Sequence, residues 1–156
     1  MIYIAHRGNL SGKRENFENT RTYIDLALFK GYECEIDICK WDGKDFYLGH
    51  DTPQEAISET WIRNKRLWCH AKNYEAFQAL QKQGHNCFWH NEDKYTLTSH
   101  GYIWAYPGEQ VGANTIAVLP EWKDTNIKDA AGICSDNIKF YKDFFEDNNM
   151  DTEWLS

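Results

Sequence analysis

No stretch of the 156-residue chain reaches the roughly 18 consecutive apolar residues that a transmembrane helix requires, so no membrane span is expected. The opening residues, Met1-Ile2-Tyr3-Ile4-Ala5-His6-Arg7, lack the apolar centre of a signal peptide, and a cytoplasmic protein is expected. Prolines number three, and no linker or shift in composition divides the chain, so residues 1–156 read as one domain. There is no C-x-x-C pair, which argues against a zinc ribbon or a redox dithiol. Cys34, Cys39, Cys69, Cys87 and Cys134 therefore read as reduced thiols, mostly buried. Basic residues are scarce, 17 against 24 acidic, and the net charge of −7 opposes an electrostatic grip on nucleic acid.

What the chain has in quantity is apolar and aromatic side chains, 42% and 15% of residues with seven tryptophans, enough for a packed core. Short apolar runs recur along it: Tyr3–Gly8, Tyr32–Cys39, Phe46–His50, Leu67–Lys72, Cys87–His90, Tyr102–Tyr106, Thr115–Pro120 and Gly132–Cys134. Each has the length and residue types of a buried strand. Helical patterns fill some of the gaps. The clearest is Asn19–Lys30, with Tyr23, Leu26, Ala27 and Lys30 near one face, Asn19 or Thr20 as cap and Gly31 as stop. Others run over Tyr74–Gln83 and Asn137–Asp147, whereas Trp41–Asp45 reads as a tight turn and Glu92–Gly101 as a turn or two of helix at most. Eight strands with interspersed helices predict an α/β protein, a compact (β/α)8 barrel of the TIM type with several helices trimmed.

Three polar clusters close predicted strands, where such barrels place their active sites. They are His6-Arg7-Gly8, Glu35-Ile36-Asp37 and Gly49-His50-Asp51. Strand alternation sends Glu35 and Asp37 to one side and Cys34, Ile36 and Ile38 to the other. Two like charges buried side by side are costly unless a cation joins them, and hard oxygen ligands suit Mg²⁺ or Ca²⁺. Two histidines beside such an ion form an acid–base pair.

The order His6-Arg7, Glu18-Asn19-Thr20, Glu35-x-Asp37, Asp42-Gly43 and His50-Asp51 resembles the glycerophosphodiester phosphodiesterases, within the phospholipase-C-like phosphodiesterases. Weaker matches continue at His70-Ala71-Lys72, where the family has Glu-x-Lys, and at Gly132-Ile133-Cys134-Ser135-Asp136. The resemblance implies a barrel enzyme in lipid metabolism that cleaves a small glycerophosphodiester with a divalent ion. On this reading Glu35 and Asp37 hold the metal, His6 and His50 are acid and base in unassigned order, and Arg7 and Lys72 contact the phosphate. Glu18 and Asp51 orient them.

The family's third metal carboxylate is replaced by His70. Three readings stay open: His70 is a ligand, which suits Mn²⁺, Fe²⁺ or Zn²⁺ better than Ca²⁺; Glu121 or Glu92 fills in; or the site is degraded, leaving a silent relative that binds phosphorylated ligands. His90 and Glu92 could face the pocket, Cys39 shares the parity of Glu35, and Asp136 could bind substrate or cap a helix. His85 and His100 read as loop residues. Trp89, Trp104, Tyr106 and Trp122 could plug a barrel, cover bare strands or stack on a head group. Substrates in solution are expected rather than a membrane surface, with a homodimer as one way to cover helix-free faces.

Overall fold

A computed structural model describes residues 1–153, with side chains described through residue 148. All eight expected strands form, at β1 Ile2–His6, β2 Glu33–Trp41, β3 Asp45–Leu48, β5 Leu67–Ala71, β6 Cys87–Phe88, β8 Ile103–Ala105, β9 Thr115–Val118 and β10 Gly132–Ser135. Two short strands, β4 Glu55–Ile57 and β7 Tyr95–Leu97, add to them. The helices are α1 Arg21–Phe29, α2 Glu59–Ile62, α3 Tyr74–Lys82 and α4 Ile138–Glu153, with a 3₁₀ turn at Pro120–Trp122.

The expected (β/α)8 barrel is not formed. β6, β5, β2, β1, β10, β9 and β8 pair in parallel in that order, but β3 folds back antiparallel on β2 and β4 antiparallel on β3, and β7 pairs antiparallel with β8. No ladder joins β6 to β8 among the described residues, so the sheet stays open. A single backbone hydrogen bond, Ser99 N–H to Cys87 O at 2.8 Å, spans that gap. The physical reason lies in the connections. A parallel neighbour needs a crossover of a dozen residues or so, whereas the turn from Trp41 to Asp45 permits only a hairpin. With β6 reduced to Cys87–Phe88 and β7 standing where a helix would be, too little paired edge remains to close the ring.

The helices cover one face of the sheet. α1 buries Ile24, Ala27 and Leu28, a stripe shifted from the expected one, and leaves Leu26 exposed. Thr20 rather than Asn19 occupies its N-cap. Asn73 caps α3 through Ala76 N–H, and its side chain also bonds both backbone groups of Lys40. Cys34, Ile36, Ile38, Cys69, Ala71 and Ile133 fill the core beneath these helices. All five cysteines are free and buried. On the opposite face Ile4, Trp68, Phe88, Trp104, Ile116 and Cys134 form a second apolar layer. Trp104 plugs that layer, its ring 4.4 Å from Phe88 and 5.8 Å from Trp68, whereas Trp89, Tyr106 and Trp122 are exposed. Residues two further along the same strands, at the carboxyl ends, carry the polar cluster described below.

Gly49 anchors the return from the β2–β3 hairpin. Its N–H donates to Asp37 O at 3.1 Å, and a Cβ there would lie 2.0 Å from the Thr52 carbonyl oxygen. Gly49→Ala must displace the 49–54 turn, and a loss of about 2–4 kcal/mol is expected. Thermal melting checks it: a variant melting like the wild type contradicts this packing. No helix among the described residues is long and apolar enough to cross a membrane.

Candidate metal centre

Strand alternation places His6, Glu35, Asp37 and His70 on the helix-free face, just beyond the second apolar layer. Register does the rest: His6 pairs with Glu35 and Asp37 with His70 on adjacent parallel strands. One ligating atom each from Glu35, Asp37 and His70 lies within 4.8 Å of the others. Both carboxylates are buried, with 2% of Glu35 and none of Asp37 exposed.

Cations of the chain surround Asp37. Arg7 Nε stands 2.7 Å from Oδ2, His70 Nδ1 3.2 Å from Oδ1 and Lys72 Nζ 3.8 Å from Oδ1. Arg7 reaches back because its backbone is left-handed (φ 53°), locked by its N–H to Glu35 O and its carbonyl to Asn19 N–H. Glu18 Oε1 accepts from Arg7 Nη1 at 3.0 Å, and Glu18 Oε2 accepts from Asn9 Nδ2 at 3.0 Å. Burial alone would raise the Asp37 carboxyl, but the His70 hydrogen bond and the Arg7, His70 and Lys72 charges hold it well below the usual carboxylate range.

The donor set fits a divalent ion. Beyond the His70 contact, Arg7 and Lys72 meet Asp37 as charges, which leaves its buried oxygens room to coordinate an ion. His70 donates Nε2–H to the His90 carbonyl at 2.9 Å while its ring stacks 4.9 Å from Phe88. In its neutral form Nδ1 is then the free nitrogen, directed at Glu35 and Asp37 as a metal ligand should be. Two carboxylates and one imidazole match Mn²⁺, Fe²⁺ or Zn²⁺ better than Ca²⁺. Glu121 is committed elsewhere, to Ser135 Oγ at 2.8 Å and Asp136 N–H at 3.1 Å.

Without an ion, Nδ1 holds a proton instead. Burial lowers the His70 value, but the bonds to Asp37 and Glu35 outweigh it and push it up to about 9. Such a histidine adds stability fully below its unfolded value of 6.5, and the contribution is lost as pH rises through about 9. Melting in the presence of chelator should therefore fall between pH 6.5 and 9, and His70→Asn should flatten the slope. An unchanged slope in that variant would assign the effect to another group.

The histidines expected as acid and base stand apart in environment. His6 Nδ1–H donates to Asp136 Oδ1 at 2.7 Å, and Nε2 lies 3.8 Å from Glu35 Oε2. Burial lowers the His6 value, but the Asp136 bond and the Glu35 charge raise it overall. His50 does not close a parallel strand; the hairpin carries it back beside Asp37, where it lines the small cavity holding Arg7, Glu18 and Asp37. It also lines a cleft of about 590 Å³ with His70, Lys72, His90 and Glu92. His50 is half-exposed and bonded through Nδ1 to the exposed Asp51 at 2.8 Å. Cys39, though buried, is not among the residues that converge on the ion site.

For three contributors the sequence names no partner: Asn9 is not singled out, Asn19 reads only as a motif or cap residue, and Asp136 only as a substrate or cap residue. Asn19, itself left-handed, binds both backbone groups of Asp37 at 3.0 Å and so fixes the strand carrying the carboxylate. Asn9 bridges Glu18 and Asp136, and Asp136 orients His6 rather than capping a helix. Their common signal is a buried polar residue next to a strand end, legible only once β10 is known to lie beside β1. Set against protein-family models, curated proteins and solved structures, the chain matches none of them.

Proposed function

We propose that the chain is a divalent-metal-dependent phosphodiesterase acting on a small glycerophosphodiester-like molecule. One observation carries this reading. His6, Arg7, Glu35, Asp37, His70 and Lys72, distant in sequence, meet at the carboxyl end of the parallel strands. All but His70, which stands where the family has a carboxylate, are positions on which the chain resembles the glycerophosphodiester phosphodiesterases. A divalent ion held by Glu35, Asp37 and His70 would supply charge neutralisation for the phosphodiester oxygens.

The chain's own groups do the rest. Arg7 and Lys72 hold the phosphate, Arg7 through its fork of donors and Lys72 as a point charge. His6 Nε2, its ring fixed by Asp136, exchanges a proton at one face of the phosphorus, and His50 does so at the rim. One histidine takes the proton of the attacking water or neighbouring hydroxyl, and the other delivers one to the departing alkoxide as its P–O bond breaks.

A second reading, a relative that binds phosphorylated ligands without turnover, draws on His50. That side chain is half-exposed and tied to Asp51 rather than to the carboxylate cluster. The test is hydrolysis of a glycerophosphodiester panel after chelation and after restoring Mg²⁺, Mn²⁺ or Ca²⁺. The expected result is turnover that disappears with chelator and in His6→Ala and Glu35→Ala. Phosphate-ester binding without turnover supports the second reading, and folded protein that does neither sinks both.

A further inference from the structure

Three cations meet the buried Asp37 carboxylate, and they differ in how firmly each is held. Arg7 is fixed at Oδ2. Its Nε stands 2.7 Å away, Glu18 accepts from its Nη1 at 3.0 Å, and its left-handed backbone is bonded to Glu35 and Asn19. His70 is fixed from behind by the His90 carbonyl. Lys72 is fixed only at its backbone, where its N–H donates to Ile38 O at 2.8 Å. Its Nζ stands 3.8 Å from Asp37 Oδ1, beyond hydrogen-bond reach, and pairs with no other carboxylate among the described residues.

Oδ1 is also the oxygen nearest the imidazole. His70 Nδ1 lies 3.2 Å from it and 3.5 Å from Glu35 Oε1, so the atoms that converge on the ion site include the one that Lys72 faces. An ammonium and a divalent ion therefore compete for one buried oxygen. The ammonium also has somewhere to go, because Lys72 lines the cleft of about 590 Å³ that it shares with His50, His70 and His90. Its long flexible stem lets the charged head swing while the backbone stays in place.

We propose that Lys72 is an exchangeable counterion: it neutralises Asp37 until a divalent ion takes Oδ1, and then turns into the cleft to hold an anionic phosphate group. Resting on the proposed ion site, this exchange sets the order of filling, the ion first and the phosphate second. Arg7, held at Oδ2, keeps the carboxylate oriented throughout. The two ligands are then cooperative, and Lys72 acts on them in opposite directions. Removing its ammonium frees the oxygen for the ion and deprives the phosphate of a partner. A residue that merely held the site together would weaken both on removal.

Binding of Mn²⁺ and of inorganic phosphate to the full chain tests this without any turnover. In calorimetric titration Lys72→Gln and Lys72→Met should each bind Mn²⁺ about fivefold more tightly than the wild type, the gain from removing one weakly paired competing cation. The Mn²⁺-loaded wild type should bind phosphate about tenfold or more tighter than the chelated protein, and both variants should lose most of that gain. Brief reductive methylation, read by mass spectrometry, follows the side chain itself. Mn²⁺ should raise labelling of Lys72 and added phosphate should lower it again, while Lys65, exposed ahead of the same strand, stays constant. Mn²⁺ binding that is unchanged or weaker in both variants, or Lys72 labelling indifferent to Mn²⁺, overturns the exchange and leaves the phosphodiesterase reading in place. A folded wild type that binds no divalent ion overturns both.

Discussion

Asp37→Asn is expected to abolish divalent-ion binding and to destabilise the metal-free protein by about 3–5 kcal/mol. The side chain is fully buried, and Arg7, His70 and Lys72 all direct charge at it. An amide keeps the shape but removes the charge that makes those three cations tolerable. The half-buried guanidinium of Arg7, which Asp37 and Glu35 hold above its ordinary value against its burial, loses its shortest contact. For a chain of this length the loss corresponds to a fall in Tm of roughly 10 °C or more. Calorimetric titration with Mn²⁺ and a thermal melt in chelator read the two effects separately. Arg7→Gln added to Asp37→Asn should recover part of the stability and none of the binding, because it removes the orphaned cation without restoring a ligand. Wild-type Mn²⁺ affinity in Asp37→Asn would remove the carboxylate from the ion site.

Under the proposed phosphodiesterase reading, Asp136→Asn should lower turnover by about 10²–10⁴-fold while leaving divalent-ion affinity within about threefold. Asp136 touches neither Glu35 nor Asp37; its oxygen accepts from His6 Nδ1 and from Asn9. The carboxylate decides which His6 nitrogen carries the proton and raises the ring's affinity for it. With a neutral amide there, the His6 limb of the pH–rate profile should move toward acid. A residue that merely braces the fold would move Tm and leave the profile in place, so the profile is the deciding measurement. Loss of metal affinity in the same proportion as turnover would contradict an orienting role.

Much of this site is local in origin and therefore readable along the chain. A strand alternates with a period of two, so Glu35 and Asp37 had to oppose Cys34, Ile36 and Ile38 whatever the neighbours. The eight expected strands follow from short apolar runs of strand length, and the helix stops from Gly31 and Gly84, both left-handed. Local pattern does not choose partners. Glu55–Ile57 and Tyr95–Leu97 are too short to register as strands until a neighbour supplies their hydrogen bonds.

By itself the sequence determined which side chains share a face, that the cysteines would be buried thiols, and that a tight turn follows Trp41. That turn already opposed a barrel, since a connection so short forces β3 to run antiparallel to β2. Only the tertiary structure decided that the sheet stays open, that His70 rather than Glu121 stands beside Asp37, and that His6 finds Asp136 at the other end of the chain. The physical reason is range. Alternation and turn geometry act between residues a few positions apart. Which strand lies beside which is settled by the burial of the whole core, as in the pairing that sets Ala5 beside Ser135 and so brings Asp136 to His6.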